Sequence, residues 1–129
     1  VSYPYANGYQ DSSQTQEAAY LDMSIPYSAG ALVSNIADME AWAESFANKT
    51  LISEQNSREI FSEGDYGFGW VVKDVAGKLA YTHNGAINGF KSTIAIFAND
   101  SGLIIALSNT EDDRAKLERI ITTLASNEL

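Results

Sequence analysis

Apolar residues recur at three- and four-residue spacing after the first quarter of the chain, the period of an amphipathic helix. The helix is predicted to begin at Ser34, a typical N-cap residue, and to end at Asn48-Lys49-Thr50. Ser53 is the expected cap of a second, shorter helix that runs to about Ser62. The apolar stripe of the first helix is Leu32, Ile36, Met39, Ala43 and Phe46, widened by Trp42.

After Glu63-Gly64-Asp65 the pattern changes from a helical period to short runs of β-branched, aromatic and aliphatic residues. Short turns with glycine or asparagine separate these runs, so they predict an antiparallel meander. The last run, Leu103–Leu107, is apolar throughout, which is typical of a strand covered on both faces. The four predicted strands are 66–72, 79–83, 90–97 and 103–107.

A third helical pattern ends the chain. Thr110 and Asp113 form a start similar to a capping box. Residues 1–29 show no period and are predicted to be an extended loop region, followed by helices, sheet and C-terminal helix over 30–129. The fold class is therefore α+β, with the C-terminal helix on one face of the meander and the two earlier helices on the other side or at one end. The apolar stripe of the last helix is Leu117, Ile120, Ile121 and Leu124.

Length and charge narrow the possible functions. The 129 residues suffice for a single domain, 1–129, with one hydrophobic core. Acidic residues outnumber basic ones 17 to 8, for a formal charge of −9, so neither a nucleic acid nor an anionic membrane surface is an expected partner. The chain has no cysteine, which excludes disulfides and thiol nucleophiles. No apolar run approaches the ~20 residues of a transmembrane helix.

The single histidine, His83, lies between two strand-like runs. Gly85 and Gly89 follow it, and glycine inside a strand pattern marks a bulge or a close approach of backbone. On its own, such a histidine is more often a hydrogen-bonded structural residue than a reactive one. No cluster of ligand-type residues has the spacing of a metal site, so we expect neither a metal nor a cofactor.

Several short motifs follow one another along the chain. They are Ala29-Gly30-Ala31-Leu32-Val33-Ser34 with Ala37-Asp38-Met39, then Tyr66-Gly67-Phe68-Gly69-Trp70, His83-Asn84-Gly85, Gly89-Phe90-Lys91-Ser92 and Leu107-Ser108-Asn109. Together they resemble the β-lactamase and penicillin-binding-protein-like serine hydrolases, which include class C β-lactamases, D-alanyl-D-alanine carboxypeptidases and related esterases and aminopeptidases. His83-Asn84-Gly85 matches the third active-site motif of that family, Lys-Thr-Gly or His-x-Gly.

The resemblance makes His83, Asn84, Gly85 and Ala86 the candidate catalytic residues. It implies that the Ala86 amide donates to an oxyanion hole, where one donor is worth about 3 kcal/mol. A strand edge can also pair with an extended substrate. His83 could attract a substrate carboxylate or transfer a proton, and Gly85 would leave room for a close approach.

The nucleophile expected of that family has no match in this sequence. Its first motif is Ser-x-x-Lys, and no lysine of the chain has serine three residues before it. Tyr5-Ala6-Asn7 formally matches the second motif, Tyr-x-Asn, but it lies too close to the Ala29-Gly30 turn and lacks the apolar helix that follows in relatives. A Gly-x-Ser-x-Gly elbow is also absent. We therefore expect the C-terminal segment of such a hydrolase, inactive by itself.

The resemblance also implies partners and a compartment. An N-terminal part of the same enzyme would carry the nucleophile and cover the apolar edge Leu103–Leu107, which would otherwise favour self-association. The substrate of the whole enzyme would be a small peptide, lactam or ester, and its location periplasmic, at the cell surface or secreted. The alternative is a non-catalytic α+β module that binds a peptide or another ligand, with His83 in a structural role.

Overall fold

The computed structural model describes residues 5–61, 66–98 and 102–127. The strands form one antiparallel sheet in the order β1-β2-β3-β4. The predicted α+β class and the four-stranded meander are therefore confirmed. The elements are α1 (Tyr27–Gly30), α2 (Ile36–Ala47), α3 (Glu54–Ile60), β1 (Val71–Val75), β2 (Lys78–Ile87), β3 (Phe90–Phe97), β4 (Leu103–Ser108) and α4 (Arg114–Asn127).

Hydrophobic clusters cover both faces of this sheet, because successive side chains of a strand point to opposite sides. On one face, Ile121 and Ala125 of α4 pack on buried strand residues that include Phe97. On the other face, α2 and α3 pack on Trp70 and Ile94 through mostly aromatic side chains. The result is a layer of helix, a sheet and a second layer of helices, as the sequence predicts.

The starts of α2 and α3 depend on side-chain capping. Ser53 caps α3 as predicted, with its hydroxyl accepting a hydrogen bond from the Asn56 amide. For α2 the predicted cap, Ser34, is wrong by one residue. The Asn35 side chain accepts from the Asp38 amide at 3.0 Å, and the helix begins at Ile36. Both residue types cap helices well, so the pattern alone did not separate them.

Some residues of the predicted apolar stripes are exposed and not buried. Leu32 is 97% exposed and precedes α2, and Ile36 in its first turn is 51% exposed. In α4, Ala125 is fully buried, whereas Ile120 is 45% exposed and Leu124 is 39% exposed. Helical period alone leaves the rotation of a helix about its axis uncertain, and contact with the sheet decides it.

The strands also differ from the prediction at their ends. Residues 67–70 form a tight turn instead of a strand, since Gly67 and Trp70 exchange backbone hydrogen bonds of 2.9 Å. β2 is longer than predicted and continues through the His83 motif to Ile87. β4 lies at the edge of the sheet, and Leu107 is 40% exposed, so this strand is not covered on both faces along its whole length. The predicted turn at 99–101 lies outside the described residues.

Residues 8–18 run beside the turn that joins β2 and β3. The Tyr9 amide donates to the Asn109 carbonyl at 2.9 Å, which ties this otherwise irregular region to the end of β4. Gly8 and Gly89 meet backbone to backbone. A Cβ at Gly89 would lie 2.6 Å from the Gly8 Cα, and Gly89 has a φ of +77°.

We expect Gly89→Ala to lower the free energy of unfolding by about 3 kcal/mol, because it combines left-handed strain with a backbone clash. Gly77→Ala is the matched control. Gly77 has a φ of +80° with no atom within 4 Å of the added Cβ, so it carries the strain alone, about 1 kcal/mol. Urea unfolding followed by circular dichroism measures both. Equal losses would show that the contact with Gly8 is unimportant.

Asp113, the second residue of the predicted capping-box-like start, directly precedes the last helix, which begins at Arg114. Its carbonyl accepts from the Leu117 amide at 2.9 Å. Its carboxylate accepts from Lys116 Nζ and from Ser108 Oγ, each at 2.6 Å. These hydrogen bonds, that of Lys116 first, hold the pKa of Asp113 well below its usual range.

We expect Asp113→Asn to lower the free energy of unfolding by about 1 kcal/mol at neutral pH, because the helix start loses its charge and ion pair. A carboxyl whose pKa is lowered by folding stabilises above its unfolded pKa, near 4, and this stabilisation is lost as pH falls through the folded pKa. The difference between wild type and variant should therefore shrink in acid. Urea unfolding at neutral and acid pH tests this, with the exposed Asp112→Asn as a control that should change less. A difference constant with pH would contradict it.

Candidate active site

β1 pairs with only the first half of β2. The β1–β2 register runs from Val75↔Lys78 to Val71↔Thr82 and ends there. β3 pairs with β2 as far as Ile87↔Phe90. In the described part of the chain, residues 83–87 thus have a strand partner on one side only, and all the predicted site residues lie on this half. We call residues 83–87 the open edge. The short helix α1 lies near β2.

The hydrogen-bond pattern gives the direction of each backbone amide along the open edge. The Ala98 amide donates to the Leu79 carbonyl at 3.1 Å, which makes them a hydrogen-bonded pair of the β2–β3 ladder. Alternation then directs the backbone of His83 and Gly85 toward β3. The amides of Asn84 and Ala86 point the other way, within the plane of the sheet and away from β3.

The side chains of the predicted residues do not share one face. His83 lies on the α2 face. Asn84 lies on the α4 face, where it lines a crevice of about 10 Å³ with Arg114 and Leu117. Such a space holds one water at most. The structure therefore does not bring the Asn84 side chain to His83, and only its backbone reaches the open edge.

The ring of His83 is held by the tight turn at 67–70. Its Nδ1 is hydrogen-bonded to the Gly69 carbonyl oxygen. Because a carbonyl only accepts, Nδ1 carries the hydrogen of this bond, and Nε2 is the ring nitrogen left for another partner. Gly69 has a φ of +92°, a conformation that glycine adopts without strain.

A cleft of about 280 Å³ opens beside His83 on the α2 face. Its size is near that of small-molecule sites. Of the described residues that line it, only His83 has an ionisable side chain. The other principal walls are Met39 and Trp42 of α2, Phe68 and Trp70 of the turn, and Ser92 and Ile94 of β3.

Aromatic packing supports one wall of this cleft. Trp70 is 4% exposed and stacks on Trp42 with ring centroids 5.8 Å apart. Phe46 and Phe61 contact it at 5.8 and 5.6 Å. This packing fixes the turn whose Gly69 carbonyl orients His83.

The side chain of a neighbouring strand residue leaves no room for a Cβ at Gly85. A Cβ there would overlap the Oγ of Ser92, the residue paired with it on β3. The space that the sequence suggested for a ligand is therefore filled by the Ser92 hydroxyl. Gly85 still allows Ser92 to sit on the cleft face.

Sequence reasoning missed most of the cleft. The sequence places Trp42 in a helix stripe, and it places Phe68 and Gly69 in a strand that carries part of the family resemblance, but it assigns none of them to the site. The signal that could have found the turn was the closely spaced pair Gly67 and Gly69, because glycines often mark tight turns. Ser92 could have been found from its register with Gly85, which a short β2–β3 turn fixes.

Residues 5–61, 66–98 and 102–127 also bear on metal binding and on insertion into a membrane. In these ranges no group of three or more His, Cys, Asp or Glu residues is placed to hold a metal ion. No helix in the same ranges has both the length and the apolar character needed to cross a bilayer.

A family model described as Beta-lactamase matches residues 2–126. Comparison with curated proteins and comparison with solved structures each found no match. The family match spans Ala29-Gly30, which lie in α1 and not in the predicted turn, as well as the turn at 67–70 and the open edge with its cleft. The chain therefore belongs to the beta-lactamase family.

Proposed function

We propose that this chain supplies the third active-site strand of a serine hydrolase of the β-lactamase and D-alanyl-D-alanine carboxypeptidase type. The whole enzyme acylates a serine with the carbonyl of a small peptide, lactam or ester, and water then hydrolyses the acyl-enzyme. One observation carries the proposal. The Ala86 amide points away from β3 on the same open edge as His83, and His83 lines the cleft. A fixed donor of this kind stabilises the oxyanion of acyl transfer.

His83 supplies the second polar group of the proposed site. The Gly69 carbonyl fixes the ring and leaves Nε2 for the substrate. In the neutral ring Nε2 accepts a hydrogen bond or a proton, and after protonation it can return that proton. In this proposal His83 transfers a proton or positions the substrate. Asn84 and Gly85 contribute the backbone between His83 and Ala86.

The nucleophile comes, in this proposal, from an N-terminal part of the same enzyme. Ser92 lies in the cleft, but the residue three positions after it is Ala95, so it does not begin a Ser-x-x-Lys motif. The N-terminal part would carry that motif. Export to the periplasm, the cell surface or the medium belongs to the same proposal and rests on the family.

Exposed apolar residues near α1 and α2 support a missing partner. Leu32 is 97% exposed, Tyr27 76% and Val33 62%. Exposed apolar residues grouped in this way mark interaction surfaces. We propose that the nucleophile-bearing part covers this region and the edge strand β4, whose Leu107 is also exposed.

Turnover assays test the proposal. The purified chain should hydrolyse neither nitrocefin nor a p-nitrophenyl ester, because it lacks the nucleophile. Adding the part encoded upstream, with its Ser-x-x-Lys, should restore turnover of the p-nitrophenyl ester. Ser92→Ala is the control. Turnover by the chain alone that disappears in this variant would place the nucleophile within the chain and contradict the proposal.

The reading frame upstream provides an independent test. A Ser-x-x-Lys encoded there supports the hydrolase. Without it, and with a chain that light scattering shows to be monomeric at high concentration, the non-catalytic ligand-binding module would be the better explanation.

A further inference from the structure

We propose that the cleft beside His83 selects an uncharged acyl compound that carries an aromatic or other apolar group and no free carboxylate. The inference rests on the proposed function and names the substrate class of the same site. It is carried by the charge of the cleft, the hydrogen bonding of His83 and the nature of the walls.

The cleft offers a carboxylate no permanent positive charge. Among the described residues that line it, His83 alone is ionisable, and it occupies the position where a Lys-Thr-Gly motif would place an ammonium group. An unpaired carboxylate in the cleft would lose water against Trp42, Phe68 and Met39 without gaining a partner, which is costly. The formal charge of −9 on the whole chain adds to the repulsion of anions.

The hydrogen bond of His83 strengthens this selection. With Nδ1 donating to the Gly69 carbonyl, the neutral ring presents a lone pair at Nε2. A lone pair repels a carboxylate oxygen and accepts an N–H or O–H from a neutral substrate. The tautomer that would place a hydrogen on Nε2 alone is disfavoured, because it would set a second lone pair against the Gly69 oxygen.

The walls fit a single apolar group. Phe68 is 77% exposed and Trp42 is 41% exposed, so each has ring surface left for a ligand. Both lie on the cleft of about 280 Å³. A volume of this order suits a ring-sized substituent better than several residues of a peptide.

A matched pair of ligands tests the inference on the chain as it is. N-acetyl-phenylalanine methyl ester and N-acetyl-phenylalanine share the aromatic group and differ at the carboxylate. Both tryptophans line the cleft, so their fluorescence reports binding. At about pH 8, where histidine side chains are ordinarily neutral, the ester should bind at least about tenfold more tightly than the acid.

Variants of His83 and Phe68 separate the effect of charge in the cleft from the effect of its apolar walls. His83→Lys should remove or reverse the preference by tightening the acid, whereas the uncharged His83→Gln should keep the ester preference. Phe68→Ala should weaken the ester, and it truncates an exposed residue outside the core. Circular dichroism checks that each variant is folded.

Equal affinity for the two ligands, tighter binding of the acid, or no binding of either would overturn the inference. So would a His83→Lys variant with the same preference as wild type. None of these outcomes depends on a nucleophile, so they leave the turnover tests of the hydrolase intact. Conversely, an upstream frame without Ser-x-x-Lys would remove the hydrolase proposal while this binding preference could still be measured.

Discussion

Ala86→Pro is expected to lower kcat of the proposed two-part hydrolase by about 100- to 1,000-fold, the effect of losing one oxyanion donor. Proline has no N–H. The Ala86 amide points to the open edge and not to β3, so the variant removes the proposed donor without breaking the sheet ladder. Proline is tolerated on such an edge of a sheet.

The measurement is hydrolysis of a p-nitrophenyl ester by the chain combined with the proposed nucleophile-bearing part. Ala86→Ser keeps the N–H and should retain most of the activity. Asn84→Pro removes the other outward amide of the same edge and should cost much less than Ala86→Pro. Equal losses in the two proline variants would point to a distorted edge, and the assignment of Ala86 as the donor would then be wrong.

Trp70→Ala is expected to lower the free energy of unfolding by about 3–5 kcal/mol, as other large-to-small changes of buried tryptophan do. Trp70 is 4% exposed and contacts aromatic rings of α2 and α3. Domains of this size are stable by about 5–15 kcal/mol, so the variant could keep only part of its population folded. The loss should also disorganise the turn that orients His83.

Urea unfolding followed by circular dichroism measures this effect, because circular dichroism does not depend on the tryptophan removed. Trp42→Ala is the matched control. It deletes the same side chain from a position that is 41% exposed and should cost about half as much or less. If Trp42→Ala cost as much as Trp70→Ala, Trp70 would not be the centre of the cluster on this face.

Several elements follow from local sequence. The hairpin between β1 and β2 places Ala76 and Gly77 at positive φ, as a two-residue turn requires, and the sequence marks it with glycine. Ser53 caps its helix as predicted, and Phe90–Phe97 forms a strand with the predicted bounds. These features depend on interactions between residues close in the chain, so a short stretch of sequence suffices to predict them.

Other features depend on distant partners. The apolar pattern does not distinguish Leu124, which is partly exposed, from Ala125, which is fully buried. Contact with the sheet sets the rotation of α4 and decides which of them is covered. Leu32 looks like the first residue of a buried stripe and is instead 97% exposed. Periodicity predicts that a helix has an apolar face, but it does not predict what covers each residue of that face.

The sequence by itself determined that residues 83–86 resemble a motif of the beta-lactamase family and that no Ser-x-x-Lys occurs in these 129 residues. Only the tertiary structure decided that β1 ends opposite Thr82 and leaves the amide of Ala86 on an open edge. It also decided that the Gly69 carbonyl meets the His83 ring and that the Asn84 side chain lies on the opposite face. The physical reason is that the residues of β2 do not by themselves determine where β1 stops pairing with them. The turn at 67–70 ends the pairing, and the packing of Trp70 against α2 and α3 holds that turn in place.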